Sequence, residues 1–209
     1  MKVNPTIHNR KSIRLRNYDY SQEGLYFITI CTKDRECLFG KITGGRMILN
    51  DDGKMANRCW LQIPDHFPGV VLHQHIIMPN HIHGIIEIKT ECTNNPGVQN
   101  NTPPQQKQRN EFGKIIPRSI GSIIRGYKTG VTKWVRYRRI EEIEGIEGVE
   151  NFQPQLSRPQ RTQRTITIWQ RNYYEHIIRN DQAYYIISIY IKNNPLKWKG
   201  DVFSKEKTS

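Results

Sequence analysis

His81 and His83, in the run "HIIMPNHIHGIIEI", are separated by one isoleucine. If that run is a strand, side chains two apart share a face, and the two imidazoles project together toward whatever lies there. Two imidazoles side by side suit a divalent cation, although an H-x-H pair by itself is also common in packed strands. His73 and His75 repeat the spacing just upstream and are read as structural. A two-histidine Mg²⁺ or Mn²⁺ site needs an oxygen donor from elsewhere. Near the C-terminus, "SIYIKNNP" places Tyr190 four residues before Asn194, which puts both on one face of a helix end. A tyrosine hydroxyl, with its pKa near 10, attacks phosphorus poorly unless the phosphate is held and its charge offset. A cation on His81, His83 and Asn194 would polarise the phosphate and stabilise a departing 3′-hydroxyl, leaving a phosphotyrosine. Tyr173, Tyr174, Tyr184 and Tyr185 compete with Tyr190, but only Tyr190 has a side-chain amide four residues on, directly before proline.

Several elements must position these groups. "GLYFITICT", residues 24–32, is β-branched and aromatic and predicts a strand. "CLFGKITGGRMILNDDGKM" carries hairpin chemistry leading into a helix over 55–63, which Pro64 and Pro68 end. The histidine-bearing run predicts two strands broken at Met78-Pro79-Asn80, because proline cannot donate to a central ladder. On the second strand Ile82, Ile86 and Ile88 fit a core-facing side, and Glu87 shares the histidine face. Ile120, Ile123, Ile124, Tyr127 and Val131 recur at helical spacing and predict a basic amphipathic helix starting after Pro117. A short strand is expected at 166–169, with His176 at a helix entry. A last helix runs from a cap at Asn180 or Asp181 to about Asn193, burying Ile186, Ile187, Ile189 and Ile191. Residues 93–110 and 140–165 are too polar or repetitive to repay ordering and are read as disordered insertions. The order predicts one α+β domain over 1–209, an antiparallel sheet with helices packed on one face.

Composition narrows the partners. With 32 Lys+Arg against 19 Asp+Glu the chain carries +13, a balance suited to phosphate backbones or an anionic surface. Arg14, Arg16, Lys114, Arg118, Arg125, Lys128, Lys133 and Arg136, followed by Arg138 and Arg139, are interleaved with Tyr127, Trp134 and Tyr137. Such a set can grip a backbone and stack unpaired bases. The four cysteines form no C-x-x-C pair and are read as structural thiols. No run approaches the roughly 18 apolar residues of a membrane span. A cytoplasmic, nucleoid-associated location is expected, with no membrane partner.

The segments "RLRNYDYSQEGLYFITICTKDRECLFG", "HIIMPNHIHGIIEI" and "WQRNYYEHIIRNDQAYYIISIYIKNNP" resemble the REP-associated tyrosine transposases of the HUH single-strand transposase superfamily. The resemblance covers about residues 12–90 and 112–203, all but the two insertions. It implies a ferredoxin-like HUH endonuclease fold and Mg²⁺- or Mn²⁺-dependent cleavage and rejoining of single-stranded DNA at REP-like hairpins, through a 5′-phosphotyrosine link. Residue by residue, it puts the HUH pair on His81 and His83, the nucleophile on Tyr190 and the third ligand on Asn194. It leaves monomer and homodimer both open. A non-catalytic hairpin-binding descendant is the alternative, against which the intact quartet argues. A histidine-triad nucleotide hydrolase ranks last, because Ile85 stands where its third alternating histidine would be.

Overall fold

In a computed structural model, residues 20–89, 117–144 and 167–200 are described. Strand β1, Gly24–Cys31, is apolar on both of its faces, with Tyr26, Ile28 and Ile30 on one and Leu25, Phe27 and Cys31 on the other. It therefore lies inside the sheet. A small hairpin follows, β2 (Gly40–Thr43) and β3 (Arg46–Leu49), turned at Gly44-Gly45 with both glycines at positive φ, the turn chemistry read from the sequence. Helix α1, Asp51–Leu61, is capped by Asn50, whose side chain accepts from the Gly53 amide at 2.9 Å. Pro64 does not end that helix but sits in the first turn of a short second one, α2 (Ile63–His66), where its missing N–H costs nothing.

Strands β4 (Val70–Ile77) and β5 (His81–Ile88) flank the Met78-Pro79-Asn80 break, as expected. Helix α3 spans Ile120–Glu144, strand β6 spans Tyr174–Ile178, and helix α4 spans Asp181–Asn193. Asn180 caps α4, accepting from the Ala183 amide at 2.8 Å. The four long strands pair antiparallel in the order β4-β5-β1-β6. In chain order α1 lies between β1 and β4 and α3 between β5 and β6, which makes this the ferredoxin-like β-α-β-β-α-β arrangement.

The α+β antiparallel architecture stands as expected, with one refinement. Helices α1 and α3 pack on one face, where Trp60, Tyr127, Val131 and Val135 meet Tyr26, Ile28, Ile82 and Ile86 in the main core. Helix α4 packs on the other, where Ile191 meets Ile85 and Ile178, flanked by Phe27, Ile76, Tyr184 and Ile187. Strand β5 is buried at every position except Glu87, because helices cover both of its faces. Gly84 is required there, because a Cβ would stand 2.2 Å from the Trp60 ring.

Four expectations are corrected. The fourth strand is Tyr174–Ile178, paired with β1, and His176 lies in it, exposed. Trp169 contributes only an isolated bridge to Thr32. Helix α3 continues through Glu144, five residues into the stretch read as an insertion, because "IEEIE" is made of adequate helix formers. On α4, Ile187 and Ile191 face the sheet while Ile186 and Ile189 are exposed, since residues on opposite sides of a helix cannot both face one sheet. The segment 93–110 and residues 145–165 lie outside the described residues, as do Arg14, Arg16 and Lys114. Among the described residues, no helix is long and apolar enough to cross a membrane.

Candidate active site

The pairing of β1 with β5 sets Thr29 opposite His83 and Cys31 opposite His81. Both histidines thus stand on the α4 face of the two central strands, and both are buried. Their ring centroids are 4.5 Å apart. Each ring has its Nδ1 engaged by a neighbour. His81 Nδ1 meets Asn80 Oδ1 at 2.9 Å, and His83 Nδ1 meets Thr29 Oγ1 at 2.8 Å.

The Asn80 contact assigns a tautomer. Asn80 Nδ2 donates to the Arg35 carbonyl at 3.1 Å, which turns its oxygen toward His81, so His81 Nδ1–H donates and the Nε2 lone pair faces the site. Metal-binding histidines in general are oriented by an outer hydrogen bond of this kind. Phe27 stacks on His83 at 5.3 Å between centroids, and Trp198 stacks on His81 at 6.0 Å. Such packing locks the rings.

Helix α4 brings Tyr190 to this pair, its Oη lying 3.3 Å from His83 Nε2 with the ring edge against Phe27. One turn later Asn194 is 1% exposed, where α4 passes into the 3₁₀ segment Asn194–Gly200 that carries Trp198. Neither polar atom of the Asn194 side chain makes a regular hydrogen bond among the described residues. Its amide lies beside His81 and favours the protonated ring slightly, against stronger opposing effects. Burial, reinforced by His83 and more weakly by the Arg35 charge, holds His81 down to about 2. Burial alone holds His83 down to about 3. Both imidazoles are neutral at pH 7, the form that binds metals.

These donors fit a divalent cation: two neutral imidazole nitrogens and a buried amide oxygen that lacks a conventional partner. Among the described residues no group of three or more His, Cys, Asp or Glu does so. His73 and His75, which share the spacing of His81 and His83, do not form a second pair. A bulge between Leu72 and His75 reverses their parity. His73 turns to the α4 face, meeting Glu87 Oε2 at 2.9 Å and Tyr184 Oη at 3.1 Å. His75 turns to α1, meeting Asn57 Oδ1 at 2.9 Å and stacking on Trp60. Glu87 is therefore occupied by His73 and, at 3.5 Å, by Lys89.

No family model matches the chain. A protein of Haemophilus influenzae Rd, itself uncharacterized, is 42% identical over 204 residues, which is 96% of each chain. The chain belongs to that protein's family. Among solved structures, a REP-associated tyrosine transposase bound to a REP hairpin aligns at TM-score 0.46 and 18% identity, over 88% of this chain and 73% of that one. A proposed transposase of Deinococcus radiodurans R1 aligns at TM-score 0.36 and 13% identity, over 86% of this chain and 95% of that one. Both values are too low to carry an argument about this chain.

The expected DNA-binding residues divide. Arg125, Lys128, Lys133 and Arg136 line one cleft of about 510 Å³ along α3, joined there by Arg171 and Tyr173, which sequence reasoning had not placed. Lys128 Nζ donates to the carbonyls of Gln170 and Asn172 at 2.8 and 3.1 Å, fastening that segment to the helix. Burial lowers its pKa to about 8. Arg118 is exposed at the start of α3, outside the cleft. Arg138 turns inward and pairs with the buried Asp52 at 2.9 Å. Since α3 packs on the face opposite α4, the cleft and the histidines lie on different layers of the sheet. Asn80 and Arg35 were also missed, though the hydrophilic turn directly before "HIH" was a place to look.

Proposed function

We propose that the chain is a divalent-metal-dependent transposase-type enzyme that cleaves and rejoins hairpin-containing single-stranded DNA, acting in the cytoplasm on chromosomal sequence. The observation that carries this reading is the convergence of Tyr190, on α4, and Asn194, one turn later at its C-terminal cap, upon His81 and His83 of β5. The motifs "MPNHIH" and "YIKNNP" support it by their resemblance to REP-associated tyrosine transposases.

His81, His83 and Asn194 would hold Mg²⁺ or Mn²⁺, which when bound supplies Lewis-acid polarisation of the scissile phosphate. Tyr190 is the nucleophile. Its oxygen forms a bond to phosphorus as its proton leaves to solvent. The P–O3′ bond breaks, the departing strand takes up a proton as a 3′-hydroxyl, and the other strand stays attached through a 5′-phosphotyrosine. The reverse reaction with a different 3′-hydroxyl rejoins DNA without further energy input. Phe27 and Thr29 fix the His83 ring, and Asn80 fixes that of His81. The cleft of Arg125, Lys128, Lys133, Arg136 and Arg171 holds the backbone of the same DNA, with Tyr173 available to stack.

The test is incubation with single-stranded hairpin DNA and Mn²⁺, followed by a denaturing gel. A covalent complex that Tyr190→Phe abolishes without weakening hairpin binding is the expected result. Salt-sensitive binding with no covalent complex from the unaltered protein would replace this reading with that of a binding protein alone. An adduct that survives in Tyr190→Phe would remove Tyr190 from its role.

A further inference from the structure

The cleft along α3 and the histidine site lie on opposite layers, and β6 is the edge of the sheet between them. Successive side chains of an extended chain leave it on opposite sides. Tyr173 goes to the cleft, beside Arg125 and Arg171. Tyr174 goes the other way. It pairs with Thr29 of β1, and Thr29 pairs in turn with His83, so one row across the sheet runs Tyr174, Thr29, His83. Residues directly opposite on antiparallel strands share a face. The Thr29 hydroxyl, 2.8 Å from His83 Nδ1, fixes that face as the histidine face. Tyr174 therefore stands on it two strand spacings, about 10 Å, from the backbone of His83. Two residues along, His176 pairs with Phe27, whose ring stacks on His83 and meets the edge of Tyr190.

Helix α4 leaves this part of the face open. It runs mainly over β4 and β5, and Tyr174 is 49% exposed, with His176 exposed and Phe27 half-buried. The open strip has an aromatic floor, Tyr190 and the histidines along one side, and the free edge of β6 along the other. Arg171 and Arg179, both exposed, flank β6 in the chain. Such charge suits a phosphate backbone, and exposed rings suit unpaired bases, which offer the faces that a duplex keeps stacked. We propose that Tyr174 stacks on the base of a nucleotide beside the scissile linkage, where single-stranded DNA held in the α3 cleft comes over the edge of β6 to the histidines. This rests on the strand-transfer reading above. Stacking sets which phosphate lies at the site without reading base identity, because every base has a π-face.

The experiment measures adduct formation on hairpin DNA with Mn²⁺ by unaltered protein, Tyr174→Thr and Tyr174→Trp. Threonine keeps the strand preference of the position without a ring. The cleaved linkage is mapped from the adduct, and substrates are then made with an abasic site in place of the nucleotide on either side of it. On intact DNA, Tyr174→Thr should form adduct about 10-fold or more slowly, and Tyr174→Trp should stay within about threefold of the unaltered protein. At one of the two abasic positions the unaltered protein should itself slow by about 10-fold or more, and Tyr174→Thr should add about twofold or less, because ring and base act only together. A purely structural loss would slow every substrate alike. An unchanged rate in Tyr174→Thr, or an equal penalty on intact and abasic substrates, would overturn the assignment of Tyr174 and leave strand transfer standing. No adduct from the unaltered protein on intact DNA would overturn strand transfer itself, and the Tyr174 assignment with it.

Discussion

Tyr190 Oη and His83 Nε2 lie 3.3 Å apart although 107 residues separate them in the chain. Two elements with no local relation produce this contact, the central strand β5 and the helix α4 that covers it. Four measurements follow from the way the surrounding residues are held.

Mn²⁺ should raise the melting temperature of the protein, because a ligand that binds only the folded state stabilises it by mass action. Asn194→Ala and His81→Ala should lose most of that rise. Asn80→Ala leaves all three donors in place but frees the His81 ring, and should weaken Mn²⁺ binding by about 10- to 100-fold. Calorimetric titration with Mn²⁺, in the absence of DNA, checks both. Unchanged affinity in Asn80→Ala would show that the Asn80 bridge does not orient His81.

Gly84→Ala should destabilise the fold by about 1–3 kcal/mol or more. Its Cβ would meet the Trp60 ring at 2.2 Å, and Trp60 is fully buried between the sheet, His75 and Tyr127. Urea denaturation measures the loss. A variant as stable as the parent would mean that the contact between α1 and β5 is looser than this packing requires.

Acid should weaken the metal-free fold in part through His75. Burial, partly offset by a hydrogen bond that the ring donates to the His73 backbone, places its pKa below the ordinary 6.5. The unfolded chain takes up this proton near pH 6.5 and the folded one only at lower pH, so the stabilisation is complete above pH 6.5 and is lost as pH falls below it. His75→Gln can keep a bond to Asn57 without titrating. Its urea midpoint should fall less steeply from pH 7 to pH 5, by up to about one proton's dependence. Parallel pH profiles for the two proteins would contradict this.

Arg125→Glu and Arg136→Glu should each weaken hairpin binding and flatten its dependence on salt, with the slope of log K against log salt reduced by about one or more. Arg138→Glu should instead destabilise the protein, because it sets a second carboxylate against the buried Asp52. Fluorescence anisotropy at several salt concentrations and a thermal melt separate the two outcomes. Equal effects on binding from all three would dissolve the distinction between cleft and core arginines.

Local pattern sufficed for much of this. The β-branched run of β1, the proline break before His81, the helical spacing of α3 and the cap at Asn180 each express their structure within a few residues. The spacing of His81 and His83, and of Tyr190 and Asn194, is likewise a local periodicity of strand and helix. Where the reading of the sheet's strands or of a helix's buried face failed, the deciding partner was remote. Tyr174–Ile178 is a strand because β1 offers it an edge, and Ile186 and Ile189 are exposed because the sheet covers only one side of α4.

The histidines show the division most plainly. In the sequence His73/His75 and His81/His83 are two copies of one spacing, and periodicity treats them alike. Only the tertiary structure separates them. A single bulge in β4 sends His73 and His75 to opposite faces of the sheet, while unbroken pairing with β1 keeps His81 and His83 together beneath α4. The sequence by itself determined which residue types and periods were available. Register, and the choice of which layer covers which face, depend on contacts across more than 100 residues, and no local spacing encodes those.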